Sequence, residues 1–120
     1  GDAVAKAYDF PVTFTCRHDN CDEVFKQSAI EQVLKLSRYH SHIIDADITI
    51  NGKKPSTRVE IVVRVPGVII TAAHDDFHRT VALDAAIEKA KIQIKKLKEK
   101  IAEHRGPSTG SPSVAESGNI

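Results

Sequence analysis

Three stretches of the chain alternate apolar and polar residues with the period of a strand, a fourth strand candidate follows a turn signal, and two others repeat apolar residues with the period of a helix. From Phe10 to Thr15, Phe10, Val12 and Phe14 alternate with Pro11, Thr13 and Thr15, sending every second side chain to one face. Ile44, Ala46, Ile48 and Ile50 alternate with Asp45, Asp47 and Thr49, and Asn51-Gly52 then signals a turn that Lys53, Lys54 and Pro55 complete. From Thr57 to Val65 the inward set is Val59, Ile61, Val63 and Val65, and the outward set is Arg58, Glu60 and Arg64. Pro66-Gly67 turns the chain again into Val68 to Ala73. The last three stretches predict an antiparallel meander.

The first helical pattern places Phe25, Ala29, Val33 and Leu36 on one side, which predicts a helix ending near Ser37 with Asp19, Asn20 and Asp22 as candidate caps. Ile30 and Leu34 widen its apolar face, either as packed residues or as a contact surface. The second helix begins near Phe77, with Asp75 or Asp76 as its cap, and runs to about Ala102. Its stripe is Leu83, Ile87, Ala90, Ile94, Leu97 and Ile101. The order β-α-β-β-β-α, with one apolar face on each helix, predicts an α+β fold. This is a two-layer sandwich whose four-stranded sheet carries both helices on one face. The domain spans 9–105. Residues 1–8 are expected to be flexible and 106–120 a disordered tail, since Gly-Pro-Ser-Thr-Gly-Ser-Pro-Ser offers nothing to a core; the tail also fits a linker from a longer, two-domain architecture.

At 120 residues, 41% hydrophobic and 28% charged, the chain has room for one soluble domain with a modest core. No apolar run approaches the roughly 20 residues that span a bilayer, and the N-terminus lacks the regions of a signal peptide. A cytoplasmic protein without membrane contact is expected. The start at Gly1, with no methionine in the chain, suggests an altered or processed N-terminus. Cys16 and Cys21 are the only cysteines, and in a reducing compartment they are expected as free thiols.

Charge changes the picture locally. The net charge is only +1, yet Ala86 to Arg105 holds seven basic residues, Lys89, Lys91, Lys95, Lys96, Lys98, Lys100 and Arg105, against Glu88, Glu99 and Glu103. Lys89, Lys95 and Lys96 lie opposite the apolar stripe, with Lys91 and Lys98 on its flank. Such a field attracts phosphate through Coulomb attraction and counterion release, although a lysine-rich face also serves plain solubility and favours the helix dipole near the C-terminus.

No enzyme is legible. His40-x-His42 and His74-x3-His78 invite a metal reading, but nothing fixes their geometry, so surface or capping histidines are expected and no metal or cofactor. Asp45 and Asp47 share a strand face without a nucleophile or a phosphate loop beside them and are expected to face solvent. Cys16 lies beside Arg17 and His18, but an inert thiol is the stronger expectation.

The run Leu36-Ser-Arg-Tyr-His-Ser-His-Ile-Ile-Asp-Ala46, the Val65-Pro66-Gly67 turn, His74-Asp75-Asp76-Phe77, and Asp84-Ala-Ala-Ile-Glu-Lys-Ala-Lys-Ile-Gln-Ile-Lys-Lys-Leu-Lys98 together resemble the ribosome hibernation promoting factors. That family also carries the names ribosome-associated inhibitor and sigma-54 modulation protein, and the likeness covers about residues 10–103. The resemblance implies a β-α-β-β-β-α domain that binds rRNA of the small ribosomal subunit in the mRNA and tRNA channel and inhibits translation by occupying it, without catalysis. On the family pattern Lys26, Lys35, Arg38, Lys89, Lys95, Lys96 and Lys98 fall at basic positions. With the flanking Lys91 they form the expected RNA-binding set, while Gln93 and Tyr39 match as well. Glu31 and Gln32 stand where lysines are frequent, and Ile92 where an arginine is. These departures leave open a protein-interaction or regulatory module of the same fold that has lost rRNA binding, with weak self-association through Ile30, Leu34 and Ile92.

Overall fold

The structure, a computed structural model, describes residues 9–105, with side chains described as far as Leu97; the expectations for 1–8 and 106–120 lie outside the described residues. In chain order the elements are β1 (Val12–Arg17), α1 (Glu23–Leu34) continued by a 3-10 turn over Lys35–Arg38, β2 (Asp45–Asn51), β3 (Thr57–Val65), β4 (Val68–Asp76) and α2 (Arg79–Arg105). The sheet order is β1-β2-β3-β4. β1 lies parallel to β2, with Phe14 opposite Ile48, and the other pairs are antiparallel. Parallel neighbours need a crossover, and α1 supplies it.

The alternation read from the sequence becomes the two faces of this sheet. Ala46, Ile48 and Ile50 of β2, Val59, Ile61, Val63 and Val65 of β3, and Ile70 and Ala72 of β4 are buried in one cluster with Ala29, Val33 and Leu36 of the first helical segment and Ala82, Leu83, Ala86, Ala90 and Ile94 of α2. Both helices therefore cover the same face, α1 over β1 and β2, and α2 over β3 and β4. Burying a side chain such as Ile61, 0% exposed, contributes about 1.5–3 kcal/mol. Ile30 and Leu34 pack partly against this core, so the widened face of α1 serves packing. Ile101 lies beyond the described side chains.

Local chemistry sets the element ends. Asp22 caps α1, its Oδ1 accepting from the Phe25 N–H at 2.8 Å, one of the four donors that a helix start leaves unpaired. Pro66 and Gly67 form the β3–β4 turn with Gly67 at φ 80, as a type II turn requires at its third position. Against expectation, β4 continues past Ala73 to Asp76, because pairing with β3 persists to Thr57 opposite Asp76. α2 accordingly starts at Arg79, and Asp76 accepts from the His78 N–H at 2.9 Å rather than capping the helix. His74 is thus a strand residue and shares no helical face with His78.

The expectation of free thiols is also corrected. Cys16 and Cys21 form a disulfide, their Cα atoms 6.5 Å apart. His18, at φ 56, reverses the chain between them and returns Cys21 toward the end of β1.

Candidate nucleic-acid interface

Two contacts fix how the helices lie relative to each other. At one end the Arg79 guanidinium, on the first residue of α2, sits 4.7 Å from the centroid of the Phe25 ring. At the other, the Lys91 and Lys95 amines lie 6.0 and 5.7 Å from the centroid of Tyr39. The helices therefore run in the same direction, and Tyr39, where the 3-10 turn ends, faces the middle of α2. Ammonium groups at this distance are drawn to the negative face of an aromatic ring. The 3-10 turn also carries Lys35 and Arg38, both exposed. Lys91 and Lys95 thus approach one aromatic ring, the turn before it carries two further exposed cations, and Glu88 pairs with Lys91 at 3.2 Å.

The remaining basic positions separate from this group. Lys89 Nζ donates to the Ala73 carbonyl at 3.0 Å and Gln93 Nε2 to the Thr71 carbonyl at 2.9 Å. Both carbonyls belong to β4, the outer strand on that side of the sheet. A helix turns about 100° per residue, so Lys89 and Gln93 reach the strand while Lys91 and Lys95 reach Tyr39. Lys96 is exposed, Lys26 of α1 is half-buried, and Lys98 lies in α2 beyond the described side chains. Ile92 is 44% exposed on the outer side of the helix, and Glu31 is exposed on α1. Of the three residues expected to mediate self-association, Ile92 is the exposed one.

The face of the sheet away from the helices is occupied by ion pairs. Arg64 bridges two acids of β2, with 2.6 Å to Asp45 Oδ1 and 2.8 Å to Asp47 Oδ2. Its pKa is raised, first by the hydrogen bond to Asp47, then by that to Asp45 and by their charges. Asp45 and Asp47 are therefore committed to a structural guanidinium. Arg58 and Asp75 pair at 3.3 Å across β3 and β4. Among the described residues no cluster of three or more His, Cys, Asp or Glu side chains is arranged to hold a metal ion. His40 and His42 contact each other edge to face at 6.2 Å, and His40 Nδ1 accepts from the His42 N–H at 3.0 Å, so this pair orders its own turn. No helix among the described residues is long and apolar enough to cross a membrane.

Sequence reasoning missed the Arg79 anchor. Besides covering Phe25, Arg79 donates to Asp19 Oδ1 at 3.1 Å and to the Asn20 carbonyl at 3.2 Å, joining residues sixty positions apart.

Comparison with known families finds that the one described as sigma 54 modulation protein / S30EA ribosomal protein matches residues 12–102. Among solved structures, the N-terminal domain of Protein Y from Thermus thermophilus aligns with a TM-score of 0.66 at 18% identity, over 72% of this chain and 98% of that one. A ribosomal subunit interface protein from Coxiella burnetii aligns with a TM-score of 0.67 at 18% identity, over 73% of this chain and 97% of that one. At such identity the likeness is one of fold. No curated protein matches the sequence.

Proposed function

The chain belongs to the sigma-54 modulation and S30EA ribosomal protein family, and from that premise we propose that it is a cytoplasmic, non-enzymatic factor that binds the small ribosomal subunit and inhibits translation by occupying the mRNA and tRNA channel. The observation that carries this reading is the pair of α2 lysines at the Tyr39 ring, next to an exposed basic turn. Lys91 and Lys95 meet the ring from α2, and Lys35 and Arg38 lie on the turn that leads into it. Cations on two packed elements present a preformed pattern to phosphates, and phosphate contacts position a protein without reading sequence. Lys26, Lys89, Lys96 and Lys98 extend the field along the same two helices. Inhibition by occlusion requires affinity and shape and no catalytic group, in keeping with the fold it shares with the ribosomal subunit interface protein from Coxiella burnetii.

The test is co-sedimentation of the protein with small subunits and with intact ribosomes across a salt series, paired with translation in a reconstituted system. Binding through about six phosphates weakens steeply with salt. Folded protein that stays in the supernatant at low salt overturns the reading. Exposed Ile92, set among the lysines of α2, favours the alternative of a protein-interaction module, for which binding to a protein partner would persist as salt is raised.

A further inference from the structure

The connection from β1 to α1 is held both covalently and non-covalently. The Cys16–Cys21 bridge spans it. Independently of the bridge, Arg79 of α2 grips Asp19 and the Asn20 carbonyl, and the Gly52 N–H donates to the Arg17 carbonyl at 2.8 Å. A disulfide stabilises mainly by closing a loop in the unfolded chain, and the shorter the loop, the smaller that effect. This loop has only five residues of separation, and Arg17, Asp19 and Asn20 are also held by other bonds, so the overall fold does not depend on the bridge. Its mechanical effect is local. It closes the chain across His18, which lies in the left-handed region at φ 56, a costly conformation for a residue with a Cβ. It also ties Cys21 to the sheet immediately before Asp22, the cap of α1. Both sulfur-bearing residues are only partly buried, within reach of a reductant.

We propose that Cys16–Cys21 is a reversible thiol–disulfide site whose redox state sets how firmly the start of α1 is held. Reduction is an exchange with a dithiol. One thiolate of the reductant attacks either protein sulfur, forming a mixed disulfide and releasing the other cysteine as a thiolate that takes up a proton. The second thiol of the reductant then displaces the first cysteine, leaving two protein thiols and an oxidised, disulfide-bonded reductant. Two electrons and two protons pass to the protein. With the bridge open, His18 relaxes out of the left-handed region, and the Asp22 cap and the first turn of α1, including Lys26, loosen. As a corollary that rests on the ribosome-binding reading, the oxidised form binds ribosomes more tightly. We expect about fivefold, at the low end of coupling between linked sites.

The experiment uses the full chain, equilibrated in buffers of reduced and oxidised dithiothreitol from fully reduced to fully oxidised, with intact mass reporting the state of the pair. Hydrogen exchange is compared between the two forms, and ribosome co-sedimentation is run on each at one salt concentration. Faster exchange on reduction over residues 17–27, with β2, β3 and β4 unchanged, is the expected result, and the Cys16→Ser, Cys21→Ser double variant should behave as the reduced form in every buffer. Equal exchange over 17–27 in the two forms overturns the proposal, as does general unfolding on reduction. If neither form binds ribosomes while exchange responds to redox state, the functional reading fails and the switch stands.

Discussion

Gly52 and Gly67 are each required by their turns for a different physical reason, and replacing both by the same residues separates the reasons. A Cβ at Gly52 would lie 2.6 Å from the His18 carbonyl oxygen and 2.7 Å from Asp19 Cβ. Neither atom is the far end of a flexible side chain, so the loop must move away from β2, breaking the Gly52–Arg17 hydrogen bond. Forcing an extra carbon into a packed site costs about 1–3 kcal/mol, or a fall in Tm on the order of 10 °C for a domain of this size. At Gly67 a Cβ meets nothing within 4 Å, but φ is +80°, where an ordinary L-residue is disfavoured by about 1–2 kcal/mol. Alanine should therefore destabilise at both sites. Asparagine, which tolerates the left-handed region, should recover much of the loss at 67 and worsen it at 52, where its larger side chain meets the same backbone. Thermal and urea unfolding of the four single variants measures this. Gly52→Ala as stable as the parent protein, or asparagine acting alike at both positions, would refute the division between space and conformation.

Lys91→Gln with Lys95→Gln should lower Tm only slightly, through the lost contacts with Tyr39, and make the slope of log ribosome affinity against log salt shallower by roughly 1.4–1.8 units, near 0.7–0.9 per lost contact. Lys89→Gln alone should change it less, since the Lys89 amine already serves the Ala73 carbonyl; an equal effect from Lys89 would show that Lys91 and Lys95 are not the centre of the surface. Asp22→Ala removes the cap on the Phe25 N–H and should cost about 0.5–2 kcal/mol in chemical denaturation. Ile61→Ala, in the centre of the core, should cost about 2–5 kcal/mol, and a loss below this range would mean that the helices close over the vacated space. Arg64→Gln leaves Asp45 and Asp47 without their shared partner and should lower Tm modestly at low ionic strength, by a difference that shrinks as salt screens the two carboxylates.

The sheet was legible because strand period and burial coincide. Ala46, Ile48 and Ile50, and Val59 through Val65, alternate in the sequence and alternate between buried and half-exposed in the structure. The stripe of α2 was legible for the same reason. The end of β4 was not, because Ala73, His74, Asp75 and Asp76 carry no strand pattern of their own and are extended by their partners on β3. The basic surface was legible in composition but not in arrangement. Periodicity set Lys89 and Lys95 together opposite the apolar stripe, whereas the ring of Tyr39 on one side and the carbonyls of β4 on the other divide them. The Arg79 anchor left no local signal, since its partners Asp19 and Asn20 lie beyond any window in which periodicity is read.

The bonds from Lys89 and Gln93 to β4 bear on how the idle protein stays apart from its own copies. An outer strand with unpaired carbonyls is a template on which another chain can add itself, and proteins resist this with charge and cover along the rim. Here the protection comes from a neighbouring helix. It also comes from a lysine that any polyanion would attract, so drawing Lys89 outward uncovers the Ala73 carbonyl. The same amine that would meet a phosphate surface thus covers the Ala73 carbonyl when no such surface is present, and a substitution chosen to weaken binding at this position would also bare part of the sheet's rim.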